Sequence, residues 1–244
     1  LIQPKIKEVE INLNPDIDEL YVISDLHSNL PALEAVLSEI PQGSFIICLG
    51  DFVGYYVEPN EVCEKIMNLN SYSIVGNHDL YLTEELKFNF LKDEIYRTSW
   101  TRSVIKASNL SWLKNLPTSI QFNVFGNVKV KKILAYHGSP ENIESYIYPN
   151  SEIDIEQFGT KTIILLGNTH HPMVRNHKSN ILINPGSVGQ PRDYNAMSSY
   201  CKINLRECLI DIKRVVYNVS IYQKKLRSYD VNELAINMLW RAKI

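Results

Sequence analysis

One pattern constrains this chain more than any other. Three times in the first half, a short apolar, β-branched run breaks off into a polar loop and a helix-like stretch follows. LYVIS (residues 20–24) runs into DLHSN and then PALEAVLSEI. SFIICL (residues 44–49) runs into GDFVGYYVEP and then NEVCEKIMNL. SYSIV (residues 71–75) runs into GNHD and then a long helical region reaching about Asn115. Leu33, Val36, Leu37 and Ile40 recur at helical spacing, and Pro31 suits a first helical turn. Strands alternating with helices predict a mostly parallel sheet with helices packed on it. In such sheets ligands bind at the carboxyl ends of the strands, so the three loops are where chemistry is expected.

After Pro117 the texture becomes strand-rich. SIQFNVF, a turn at Gly126-Asn127 and VKVKKILAYH read as a hairpin, followed by TIILLG, PMVRN, NILINPG, SSYCKINL and CLIDIKRVVYNV. Only residues 152–158 and the tail from Val231 read as helical there. EVEINL (residues 8–13) places Val9, Ile11 and Leu13 on one face, which predicts an edge strand added by an N-terminal extension, residues 1–19. Trp100, Val104, Trp112 and Leu116 fall at helix-like spacings and are expected to pack in the core. The whole predicts two sheets packed face to face with helices outside, in a single domain over residues 1–244 whose length and 45% hydrophobic content support a sizeable core.

Composition removes several classes of function. With 25 basic against 27 acidic residues the net charge is −2, which offers no footprint for gripping bulk nucleic acid. The longest apolar runs, around residues 162–166, are far short of a membrane span, and the N-terminus does not read as a signal peptide. Cys48, Cys63, Cys201 and Cys208 form no C-x-x-C pair and read as reduced thiols of a cytoplasmic protein; a disulfide between Cys201 and Cys208 is the alternative.

Five apolar runs end in candidate ligand loops. These are Asp25-x-His27, Gly50-Asp51, Gly76-Asn77-His78-Asp79, His137-Gly138 and Gly167-Asn168-Thr169-His170. Five of the six histidines lie in or beside them, and His177 alone lies elsewhere. A lone histidine at a strand end is usually structural, but coincidence at this many strand ends is hard to sustain. Mixed carboxylate, imidazole and amide donors without thiolate suit mid-row divalent ions. Two such ions about 3.5–4 Å apart need a negative bridge, and Asp51 is the natural one. Glycines before Asp51, Asn77 and Asn168 are expected to let the backbone turn sharply. A dinuclear centre of this kind hydrolyses phosphate esters through a bridging hydroxide.

The order D-x-H, G-D, G-N-H-D, H-G, G-x-x-H resembles the calcineurin-like metallophosphoesterases. SDLHSNLPALEAVL, GDFVGYYVEPNEV, VGNHD, HGSPEN and INPGSVGQPRD are similar to the small prokaryotic branch related to diadenosine tetraphosphatase. The resemblance implies a four-layer α/β/β/α sandwich of two mixed sheets. It implies Asp25, His27, Asp51 and His170 around a first metal, and Asp51, Asn77, His137 and Asn168 around a second. His78 would then act on the leaving oxygen, with Asp79 either orienting it or capping a helix. Arg192, in GQPRD, would touch a substrate phosphate or anchor its loop. Manganese, iron, zinc and nickel all suit these ligands.

Two departures matter. The family pattern is Gly-His-x-His, whereas this chain has Asn168, a weaker donor, so a tight first ion and a weak second are expected. His171 would replace the missing imidazole only if it turned inward, against the alternation of an extended segment. The run after Gly50, FVGYYVEP, also lacks the aspartate and arginine of protein phosphatases. Tyr55 and Tyr56 there would pack or stack on a base. The expectation is a phosphoesterase that hydrolyses a small phosphodiester, phosphomonoester or nucleotide by attack of a metal-bound hydroxide. A degenerate relative that binds one metal, with or without a nucleotide, and does not turn over is the alternative.

Overall fold

The computed structural model describes residues 7–126 and 128–240. Asn127 of the predicted turn and residues 1–6 of the extension lie outside them. The three apolar runs of the first half form β2 (Glu19–Ile23), β3 (Phe45–Cys48) and β4 (Ser71–Ser73), parallel neighbours in a five-stranded sheet. β10 (Ser198–Asn204) and β11 (Leu209–Val215) complete it as a hairpin antiparallel to β2.

The second sheet has six strands in the order β1-β5-β6-β7-β9-β8. Its members are β1 (Glu8–Asn12), β5 (Ser119–Asn123), β6 (Lys132–Tyr136), β7 (Thr162–Leu165), β8 (Met173–His177) and β9 (Asn180–Asn184). β1 lies at its edge, parallel to β5, and β5–β6 is the predicted antiparallel hairpin.

Alternating side chains from both sheets meet in one core. Leu20, Val22 and Ile47 of the first face Phe122, Ile133, Ile163 and Leu165 of the second, all buried. At about 1.5–3 kcal/mol for each large apolar side chain taken from water, this contact is what holds the sheets together. On the outer face of the five-stranded sheet, α1 (Leu30–Glu39), α2 (Pro59–Met67) and α6 (Ala107–Asn115) bury Leu33, Val36, Val62, Ile66 and Leu113 against Ile23, Ile46 and Cys48. On the other outer face, Leu134, Ile164 and Leu182 are covered by Ile147, Ile153, Ile155 and Phe158, which include a single 3-10 turn, Glu156–Phe158. The layers are those of the predicted α/β/β/α sandwich.

The helices depart from expectation in detail. The long helical region is broken into α3 (Asn77–Thr83), a 3-10 turn, α4 (Asp93–Tyr96), α5 (Thr98–Val104) and α6. Glu84 and Arg97 adopt left-handed backbone (φ 66° and 56°), which stops helix propagation at both places. The tail holds α7 (Val219–Ser228), which the strand-like texture concealed, before the short α8 (Glu233–Asn237). Asn218 caps α7 by accepting the Ile221 N–H at 3.0 Å. Both helices pack on Tyr55, Tyr56 and Val57, so they buttress the loop after β3.

Trp112 packs edge-on to Phe52 and Trp100 lies over Arg97, while Val104 stays at the surface. Cys201 faces Ile212 across β10–β11 and all four thiols are free, so the alternative disulfide is absent. Among the described residues, no helix is long and apolar enough to cross a membrane.

Candidate metal centre

The carboxyl ends of β2, β3 and β4 in one sheet and of β6 and β7 in the other meet at one edge of the sandwich. Asp25 and His27 follow β2, Asp51 follows β3, Asn77 and His78 open α3 after β4, His137 follows β6, and Asn168 and His170 follow β7. None of these eight side chains is more than 6% exposed. Asp25, His27, Asp51, Asn168 and His170 all take left-handed φ, between 48° and 62°. Asp, Asn and His tolerate that region better than most residues, at about 1–2 kcal/mol each, and such strain is characteristic of functional loops.

Three groups have ligand atoms within 4.8 Å of one another: Asp25, His27 and His170; Asp25, Asp51 and His137; and His27, Asp51 and His78. His170 Nε2 stands 3.3 Å from Asp25 Oδ1 and 3.1 Å from His27 Nε2. On the other side, His137 Nε2 stands 3.4 Å from Asp51 Oδ2 and 3.0 Å from Asn77 Oδ1. Asp51 Oδ2 is also 3.7 Å from His27 Nε2, so one oxygen faces both groups. Metal–ligand bonds of about 2.0–2.2 Å put neighbouring donors roughly 3–3.5 Å apart, close to the spacing seen here.

The backbone fixes how the imidazoles are presented. His27 Nδ1 meets the Val53 carbonyl at 3.1 Å, His137 Nδ1 meets Leu49 at 2.6 Å and His170 Nδ1 meets Gln190 at 2.6 Å. A ring that donates from Nδ1 keeps its Nε2 lone pair for a cation, as ligating histidines do. His78 lacks such a tether: its Nδ1 is buried and unpartnered.

Charge points the same way. Both Asp25 oxygens and Asp51 Oδ2 are buried without a hydrogen-bond donor. Burial pushes the Asp25 carboxyl up against the pull of His137. Burial also acts on Asp51, but His137, His78 and His27 outweigh it and hold its carboxyl well below the usual range. Burial depresses His27 and His170, leaving neutral rings. For His137, burial is outweighed by Asp51 and Asp25, which raise it to about 9. Orphaned carboxylate oxygens beside the neutral His27 and His170 rings, with a His137 proton that a bound cation would displace, form a donor set that fits divalent cations.

Asp79 does not orient His78. Its carboxylate accepts the N–H groups of Asp51 (2.9 Å), Gly76 (2.9 Å), Phe52 (3.0 Å) and Val53 (3.2 Å), capping α3 and tying two ligand loops together. Burial and Asp51 nevertheless raise its pKa against those bonds. Asp51 Oδ1 in turn accepts the His78 N–H at 2.8 Å. Two glycines permit this closeness. Gly50 has the expected left-handed turn (φ 91°) and a Cβ there would also lie 2.4 Å from Gly76 N, whereas Gly76 has extended backbone and is needed because a Cβ there would lie 2.2 Å from Asp51 Oδ1.

Burial lowers His78 to about 4, and its ring is walled by Tyr96 (4.5 Å between centroids), Tyr55 (5.0 Å) and Tyr81 (5.6 Å). Tyr55 and Tyr56 are both buried, so they pack within the site wall rather than stand open to a base. Arg192 is held by Gln190 Oε1 (2.8 and 3.1 Å) and the Tyr55 hydroxyl (3.0 Å), and among the described residues no carboxylate pairs with it. Sequence reasoning missed Tyr96, hidden in a region read as continuous helix, and Gln190, which backs His170 and grips Arg192.

Asn168 donates its amide nitrogen to the Ser145 carbonyl at 2.9 Å. His171 lies edge-on to Tyr148 (5.5 Å) and is in none of the three ligand groups.

Residues 19–207, from β2 to just past β10, match the calcineurin-like phosphoesterase superfamily domain. The chain is 39% identical over 225 residues to an uncharacterised protein of Methanocaldococcus jannaschii, covering 84% of this chain and 90% of that one. It is similar to the crystal structure of a metallophosphoesterase from Sphaerobacter thermophilus, with a TM-score of 0.75, 28% identity, and 92% of this chain and 98% of that one covered. It is also similar in fold to a hypothetical protein of Pyrococcus horikoshii, with a TM-score of 0.75 at 18% identity over 91% and 97% of the two chains.

Proposed function

This chain belongs to the calcineurin-like phosphoesterase superfamily, and on that premise we propose that it hydrolyses a small phosphodiester, phosphomonoester or nucleotide with the help of two divalent ions. The observation that carries the reading is the donor set itself. Three imidazoles have Nδ1 tethered to backbone carbonyls and Nε2 turned inward, beside buried carboxylate oxygens that no hydrogen bond satisfies. Asp25, His27, Asp51 and His170 would hold one ion, and Asp51, Asn77, His137 and Asn168 the other. When bound, the ions would supply a nucleophile made from water and charge to offset the phosphoryl oxygens.

The chain's own residues do the rest. His78 is held neutral by burial, so it serves the leaving oxygen as a hydrogen-bond donor rather than as an imidazolium acid. Asp79 fixes the backbone of the Asp51 loop and of Gly76, and Asp51 in turn holds the His78 N–H. Arg192 forms no ion pair with a carboxylate among the described residues and is suited to a phosphate oxygen. The buried ligands and the tyrosine wall favour a small substrate over a phosphoprotein segment.

The test is a panel of aryl mono- and diesters assayed with manganese, iron, zinc and nickel. Asp51→Ala is expected to lose turnover together with tight metal binding, and His78→Ala to lose turnover while keeping the metal. Wild-type protein inactive with every metal and ester would overturn the reading. It would leave the second one, a non-catalytic binder, which Asn168 in place of the family's histidine motivates.

A further inference from the structure

The centre lies beneath a strap. Residues 139–151 leave β6 beyond His137 without forming a helix or strand, and rejoin the outer face of the six-stranded sheet through Ile147. Two contacts pin the inner bend of this strap to the centre. The Asn168 amide nitrogen holds the Ser145 carbonyl, and the Tyr81 hydroxyl bonds the Glu144 carboxylate. Tyr146, next along, is close enough to Arg192 and Asp51 for both to act on its phenol. Both side chains that hold it, Asn168 and Tyr81, are buried, so the strap forms part of their cover.

We infer that Asn168 couples the second metal position to the strap: its amide oxygen serves the ion while its nitrogen latches Ser145, so that filling the site and closing the cover are one event. The inference rests on the two-ion reading of the centre. An amide whose oxygen faces a cation is polarised and donates more strongly from nitrogen, so the ion tightens the latch. Linkage makes the effect reciprocal, and a closed strap holds the amide ready for the ion. An imidazole at this position would bind metal more tightly; the asparagine gives up affinity and gains a donor directed at the cover.

The experiment is hydrogen exchange of residues 139–151 in the full chain, followed through a manganese titration in parallel with calorimetry of manganese binding. Protection of the strap is expected to rise with occupancy of the weaker site, not the tighter one. Asn168→Asp keeps a ligand oxygen and deletes the donor. It should retain the second manganese while strap protection at saturation falls about tenfold, the equivalent of one charge-assisted hydrogen bond. Glu144→Ala touches no predicted ligand, yet should lower strap protection and second-site manganese affinity by a common factor. An Asn168→Asp strap as protected as wild type, or a Glu144→Ala strap loosened with manganese affinity unmoved, would overturn the inference. Neither measurement uses turnover. An active enzyme without the coupling removes this inference alone, and an inactive protein that shows it removes only the catalytic reading.

Discussion

Asp79 shows how much of a site a residue can control without touching its reactive atoms. One buried carboxylate collects four backbone N–H groups from the loops that carry Asp51 and His78. Asp79→Ala leaves those donors unsatisfied at about 1–3 kcal/mol for each that water cannot reach. A loss of at least about 3 kcal/mol is expected, visible as a fall in melting temperature of roughly 10 °C for a chain of this length. His78→Gln, which keeps most of the buried side-chain volume, should by contrast leave the melting temperature nearly unchanged. The pair of measurements separates a positioning residue from a catalytic one. The sequence could offer both roles for Asp79 but not choose between them, because its partners at residues 51–53 lie 26–28 positions away. The candidate ligands were legible because each follows an apolar, β-branched run directly. The tyrosine wall was not, since aromatic residues in a helical texture look the same whether they face a core or a site.

At the scale of elements, strand ends were easier to read than helix ends. β2 and β3 declare themselves by composition and length, whereas α3 ends at Glu84 and α4 at Arg97 in left-handed backbone that neither residue type announces. α7 was missed because VVYNVSIY carries strand-like residues, and burial of Val219, Tyr222 and Leu226 against Tyr56 overrides that preference. The glycines make a similar point. Gly50 does what a glycine before a sharp turn is expected to do, but Gly76 is excluded from carrying a side chain by the neighbouring loop. Gly76→Ala needs no unusual φ and would look harmless on backbone grounds alone. It is nevertheless expected to push Asp51 off its position, lowering manganese affinity by at least about tenfold while secondary structure by circular dichroism is retained. Unchanged affinity would show that the loops can separate freely.

For the whole molecule, the sandwich buries its thiols unevenly. Burial pushes Cys48 and Cys201 up to about 12 and Cys63 well above its ordinary value, so all three remain protonated and shielded at pH 8. Cys208, half-buried in the β10–β11 turn, is the accessible one. One thiol is therefore expected to react with a disulfide reagent in the native protein and four after unfolding. Two fast thiols would mean the sheets part more readily than their shared core suggests. That the chain makes two layered sheets was legible from its change of texture at Pro117. Which strand ends would meet was not, because no local pattern encodes the approach of one sheet to another. The tethers of His137 and His170 bear on that approach. His137 leaves the six-stranded sheet and bonds Leu49 at the end of a strand in the other, and His170 bonds Gln190 on the way into β10. The two imidazoles therefore clasp the open edge of the sandwich as well as facing its centre. A His137→Ala or His170→Ala variant made to silence this protein would be unbuttoned along that edge, and would not stand in for an intact fold that merely lacks its ions.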